Sequence, residues 1–179
     1  MPALTGPALA IAALLALAGA QKVLDPVMTV GALRALRLPA SPLVVRTAAA
    51  AELALGVLAI GLGGAPIWLL VAASYLGFAA FVVAALRHGT MIGSCGCFGR
   101  EDTPPHWSHV ALNVVLAGVA LALALQRDGA PIDAVLDRPG QGAVVSVLAA
   151  VALALLYALY VELPRTLTEA RRAREPRGS

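Results

Sequence analysis

What this chain lacks most is charge. Asp, Glu, Lys and Arg make up 13% of its 179 residues, against roughly 25% in an ordinary soluble domain. So few charges cannot cover a water-facing surface, which excludes a soluble globular protein. Aromatic residues are also sparse, at 4%. The apolar mass is therefore Ala, Leu and Val, side chains that suit helices facing lipid and packing closely on one another. Cysteine is limited to two residues with one position between them. A secreted disulfide framework spreads its cysteines along the chain. This pair staples no distant segments and reads as a redox or metal pair. No convincing internal repeat is present.

What the chain has is hydrophobic length. Apolar residues make up 60% of it, gathered into stretches near 3–20, 43–62, 66–86, 110–125 and 143–163. Several approach the roughly 20 residues an α-helix needs to cross the hydrocarbon core. Helices are the open-chain solution there, because lipid cannot satisfy a strand's free backbone groups. The first stretch has a rival reading, since Leu17-Ala18-Gly19-Ala20 resembles a signal-peptidase site. No Lys or Arg precedes it, and a signal peptide needs a positive n-region. Between the first two stretches, residues 27–38 suit a short amphipathic interfacial helix with Arg34 and Arg37 on its wet side. Gly61 to Ala65 reads as a tight turn, and 126–142 as a polar connection. The expected organisation is one bundle over residues 1–164, then a basic, disordered tail over 165–179.

Charge sets an expected orientation. With five spans, Lys22, Arg34, Arg37, Arg46, Arg87, Arg100, Arg165, Arg171, Arg172, Arg174 and Arg177 share one side, and only Arg127 and Arg138 lie on the other. Basic flanks mark the cytoplasmic side. The N-terminus is then outside, the tail cytoplasmic, and the loop between the third and fourth spans cytoplasmic too. The basic tail has no aromatic or motif support for nucleic-acid binding.

That loop carries the sharpest chemical signal, Cys95-Gly96-Cys97-Phe98-Gly99. Two thiols one residue apart can close a small ring, and Gly96 supplies the backbone freedom it demands. Strained disulfides are the labile, exchange-active ones. Arg100 and the N-terminus of the next helix favour a thiolate. A metal reading stays open. His106 and His109 with the two cysteines make a two-sulfur, two-nitrogen set suited to zinc or copper, although the spacing is short for a structural zinc site. His88 is a further candidate of the same kind, and two inert turn residues are the plain alternative. Within the spans, Glu52 lies near mid-membrane, where a carboxyl is costly and faces the bundle interior. Its natural partners are Lys22 or Arg46. Asn113 lies about one turn into the fourth span and can hydrogen-bond between helices. Trp68 and Trp107 fit an interfacial belt.

These residues together resemble a known family. Lys22 after a first helix, Glu52 in a second, the CGCFG run and Asn113 early in a later helix are similar to the methylamine-utilisation protein MauE, grouped with the DoxX-like membrane proteins. The resemblance covers roughly residues 5–125. It implies an all-α polytopic bundle with a DoxX-like four-helix core, to which the C-terminal transmembrane helix is a fifth. It also implies a thiol-disulfide redox role for Cys95 and Cys97, exercised with a thioredoxin-like partner during maturation of a disulfide-rich protein. The family often has Arg before the helix-four Asn; here that position is Leu112. Arg100 or His109 would then supply the missing positive charge. A quinone in the bundle would serve as electron acceptor, though no motif marks one. The rivals are a metal-handling protein and a non-catalytic membrane scaffold.

Overall fold

The computed structural model describes residues 4–87, 105–126 and 129–174, and seven helices are found among them. They are α1 (Thr5–Leu24), α2 (Val27–Ala35), α3 (Pro42–Gly61), α4 (Ala65–Arg87), α5 (Trp107–Leu125), α6 (Pro131–Leu136) and α7 (Pro139–Arg174). Five have the length and apolar composition to cross a membrane: α1, α3, α4, α5 and the Pro139–Pro164 part of α7. These match the five apolar stretches, and the chain is a multi-pass helical membrane protein. The short α2 falls where an interfacial helix is expected. The connection after α5 is less open than its polarity suggests, because α6 lies within it.

The helix α1 is the centre of the bundle, and Ala8, Ile11, Ala12, Leu14, Leu15 and Ala18 are all buried in the core. The segment that a signal-peptide reading would remove is therefore the one around which the others pack. Its main partner is α3. The two run antiparallel and touch backbone to backbone, since a Cβ on Gly19 would lie 2.6 Å from the Ala49 carbonyl oxygen, and one on Gly56 would lie 2.6 Å from that of Ala12. Small residues allow that approach, and dispersion over the closed surface then holds the pair without help from water. The helices α4 and α5 form a second close pair, and α7 rests on α1 with most of its surface outward.

Local chemistry fixes the ends. Ser41 caps α3, its Oγ accepting from the Val44 N–H at 3.3 Å, with Pro42 in the first turn; Pro there loses no helical hydrogen bond. Arg46 donates from Nε to the Val23 carbonyl, one of the last of α1. The turn into α4 needs Gly63 and Gly64, whose φ values are 63° and 86°, in the left-handed region where a Cβ is strained. Arg37 takes the same conformation (φ 57°) where α2 ends, and the Leu38 N–H returns to the Leu33 carbonyl. The helix α7 differs from expectation: it continues through Pro164 and stays helical to Arg174, where a disordered tail was expected from residue 165.

Candidate functional site

Two of the candidate polar residues meet inside the bundle. Glu52 is ten residues into α3, about 15 Å from its start, or half the roughly 30 Å hydrocarbon thickness. Lys22 is in the last turn of α1 and 5% exposed. Its side chain turns inward rather than out to the headgroups, and its Nζ lies 2.5 Å from Glu52 Oε2. The same ammonium stands 4.5 Å from the centroid of the Phe78 ring, whose negative face adds to its stabilisation. An isolated charge this deep in hydrocarbon is costly, so each residue is tenable through the other. Arg46, the other partner considered for Glu52, caps α1.

A second polar group lies at the start of α5. His106 is the N-cap residue, and its Nδ1 accepts from the Ser108 N–H at 3.1 Å. His109 reaches back, its Nδ1 accepting from the His106 backbone N–H at 3.3 Å. This is a reciprocal cap of the Ser-x-x-Glu kind with imidazoles in both roles. The other ring nitrogen of His109, Nε2, donates to the Tyr160 carbonyl at 2.9 Å. Pro164 explains why that carbonyl is available. It stands four residues beyond Tyr160 and has no N–H to offer it. The His109 and Tyr160 rings also stack, 5.7 Å apart and 11° from parallel. Asn113, 1% exposed, donates from Nδ2 to the His109 carbonyl at 2.8 Å.

This pattern assigns the tautomer of His109: Nε2 carries the proton and Nδ1 accepts. Both nitrogens are engaged by backbone, so neither has a lone pair to give a metal in this arrangement. His109 is a structural link, joining α5 to α7. Among the described residues, no three or more His, Cys, Asp or Glu side chains are grouped to hold a metal ion.

The two polar groups are close neighbours. Lys22, Phe78, Asn113, Tyr160 and Tyr75 line one small cavity of about 20 Å³ near the core. Tyr75 is buried above it, its hydroxyl donating to the Ile11 carbonyl at 2.7 Å. A larger cavity of about 220 Å³ lies on the other side of the ion pair, between α2, α3 and α4. Both are at the end of the bundle where α4 stops at Arg87 and α5 starts at Trp107. The segment joining those helices holds Cys95, Gly96, Cys97, Phe98, Gly99 and Arg100, which lie outside the described residues, as does His88.

Sequence reasoning anticipated the Lys22–Glu52 pair and a hydrogen-bonding Asn113, whose bond stays within α5 instead of crossing between helices, but it missed Tyr160, Pro164 and Phe78. A Pro four residues after an aromatic in a continuous apolar run is a signal for a freed carbonyl. The direction of Phe78 has no such signal, because it depends on how α4 faces α1.

A helical bundle of five candidate spans, with an ion pair and a histidine-capped helix gathered at one end, defines a multi-pass membrane protein with a polar interior near one face. The chain belongs to a family of such proteins: the model of methylamine utilisation protein MauE matches residues 2–126. The match takes in α1 to α5, and with them Lys22, Glu52, the cysteine segment and Asn113. Comparison with curated proteins and with solved structures returned no match.

Proposed function

We propose that this protein is a membrane thiol-disulfide redox protein whose exchanging groups are Cys95 and Cys97. The observation that carries the reading is the pair itself, two thiols flanking one glycine in a segment between two spans of a MauE-family chain. The start of α5, which follows that segment in the chain, is capped by His106 and tied through His109 to α7. The engagement of His109 by backbone weighs against the metal-handling alternative.

In the proposed reaction one thiolate attacks a sulfur of the partner's disulfide. A mixed disulfide forms and the partner's other sulfur leaves as a thiolate. The second cysteine then attacks the mixed disulfide, closing the Cys95–Cys97 bond and releasing the partner as a dithiol. Run in reverse, the same steps oxidise the partner. Arg100, three residues beyond Cys97, favours the thiolate there. The partner is a thioredoxin-like protein, and the wider role is maturation of a disulfide-bearing protein, for which methylamine dehydrogenase is the type that the family's name suggests. In this reading the cysteine segment and the C-terminus face the cytoplasm across the cell membrane, which the distribution of basic residues supports.

The test is trapping. Cys97→Ser leaves Cys95 without its resolving partner, so a mixed disulfide accumulates and the attached protein is identified by mass spectrometry. A thioredoxin-fold protein on Cys95 supports the reading. No adduct from Cys97→Ser or from Cys95→Ser would remove it.

A further inference from the structure

The ion pair does not close the bundle around itself. On one side of Lys22 and Glu52 is the apolar cavity of about 220 Å³. Three helices make its walls. Along α3, Val44, Ala48 and Glu52 recur every four residues and form one stripe. Across from it stand Phe78 and Phe81 of α4, and α2 closes the end through Leu33. The helices α3 and α4 are joined by the glycine turn at the opposite end, so the cavity occupies the space where they part. The α2 helix is held over it by Ala32, which is buried against Ala85 of α4. Phe81 is six residues before Arg87, about 9 Å along the helix, so the cavity lies just inside the end of the bundle that carries the cysteine segment.

We infer that this cavity binds the ring of a lipid-soluble quinone. The walls select an apolar body, and their position between helices reaches it from the membrane. The floor selects the polar groups. Lys22 has three N–H donors, of which one meets Glu52 Oε2, and the ammonium can present another to a ring carbonyl. The Glu52 carboxylate can accept from a ring hydroxyl of the reduced form. The pair is neutral as a whole, which favours a neutral ligand over an anion or an ammonium. Drug-sized ligands fill pockets of about 300–1,000 Å³, so a cavity of 220 Å³ suits one substituted ring with its tail left in the lipid. The phenyl rings of Phe78 and Phe81 offer flat surfaces to it. One consequence rests on the thiol reading as well. The Cys95–Cys97 dithiol loses two electrons and two protons as its S–S bond closes. The quinone gains both to become a quinol.

The test keeps the two readings apart. Full-length protein carrying both Cys95→Ser and Cys97→Ser, in phosphatidylcholine nanodiscs, is titrated with a tritiated decyl-benzoquinone. The expected result is saturable binding of one molecule per chain. Ala48→Phe, which fills the cavity and leaves the ion pair alone, should abolish it. Lys22→Met, which removes the donor to the ring carbonyl, should weaken it about tenfold, the effect of one hydrogen bond to a charged group. Three results would overturn the site: partitioning without saturation, undiminished binding in a folded Ala48→Phe, or displacement by decanol as effective as by unlabelled quinone. The last would mark a site for an alkyl chain. Both thiols are absent from this protein, so the outcome does not depend on their chemistry.

Discussion

The helix α3 packs against α1 and α4 in opposite ways. Toward α1 it presents Ala49 and Gly56, and the backbones approach until no Cβ fits at Gly19 or Gly56. Toward α4, at the end away from their turn, it presents Val44, Ala48 and Glu52 across an open space. Both faces are built from a helix rich in alanine. What separates them is where glycine removes a side chain and where a charge is kept. In hydrocarbon there is no hydrophobic gain from closing a gap, only the dispersion of surfaces that fit. A surface that does not close, with an ion pair at its edge, comes at a cost in stability.

The largest effect should come from the closed face. Gly56→Leu drives a side chain into the Ala12 and Ala16 backbone and should lower stability by about 3 kcal/mol. Ala48→Phe on the open face should change it by less than about 0.5 kcal/mol, within the range of substitutions that disturb no packed contact. Thermal unfolding in detergent micelles measures both. Equal losses would erase the distinction between the faces.

Next is the ion pair. Lys22→Gln should cost about 2–3 kcal/mol, because the orphaned Glu52 must stay charged without a partner or take a proton. Glu52→Gln should cost a similar amount, and the double change less than the sum of the two. Additive losses by the same unfolding assay would mean that the two side chains do not act as a pair.

A smaller effect is expected where α5 meets α7. His109→Phe removes the donor to the Tyr160 carbonyl and the acceptor for the His106 N–H, a loss of about 1–2 kcal/mol. Pro164→Ala restores an N–H to α7, so His109→Phe should cost measurably less in that background. An unchanged cost would separate His109 from the proline. Of opposite sign is Arg37→Gly, which relieves a left-handed φ at an exposed position and should raise stability by about 0.5–1 kcal/mol in the same assay.

The fold was legible in the sequence to the extent that lipid dictates it. Five apolar runs became five candidate spans, and Arg34 and Arg37, with Pro26 and Pro39 on either side, marked α2. The Lys22–Glu52 contact was legible for the same reason, since a carboxyl that deep must find a partner and few cations lie within reach. The role of His109 was not legible. Its spacing to His106 suggested shared ligation, but the spacing serves a helix cap, and the residue that completes it, Tyr160, is distant in sequence. Nor did the arginine-rich end announce a helix: Pro164 looks like a stop, and α7 passes through it because His109 takes up the carbonyl it frees.

The functional proposal stands on Cys95 and Cys97, and their redox behaviour is directly measurable. Purified protein, equilibrated across a series of thiol redox buffers and then alkylated with a mass-shifting maleimide, separates dithiol from disulfide on a gel. The prediction is one reversible two-electron transition, with both thiols protected together, that disappears in Cys95→Ser and in Cys97→Ser. Two thiols that stay reduced at every potential, or that resist alkylation until a chelator is added, would contradict it.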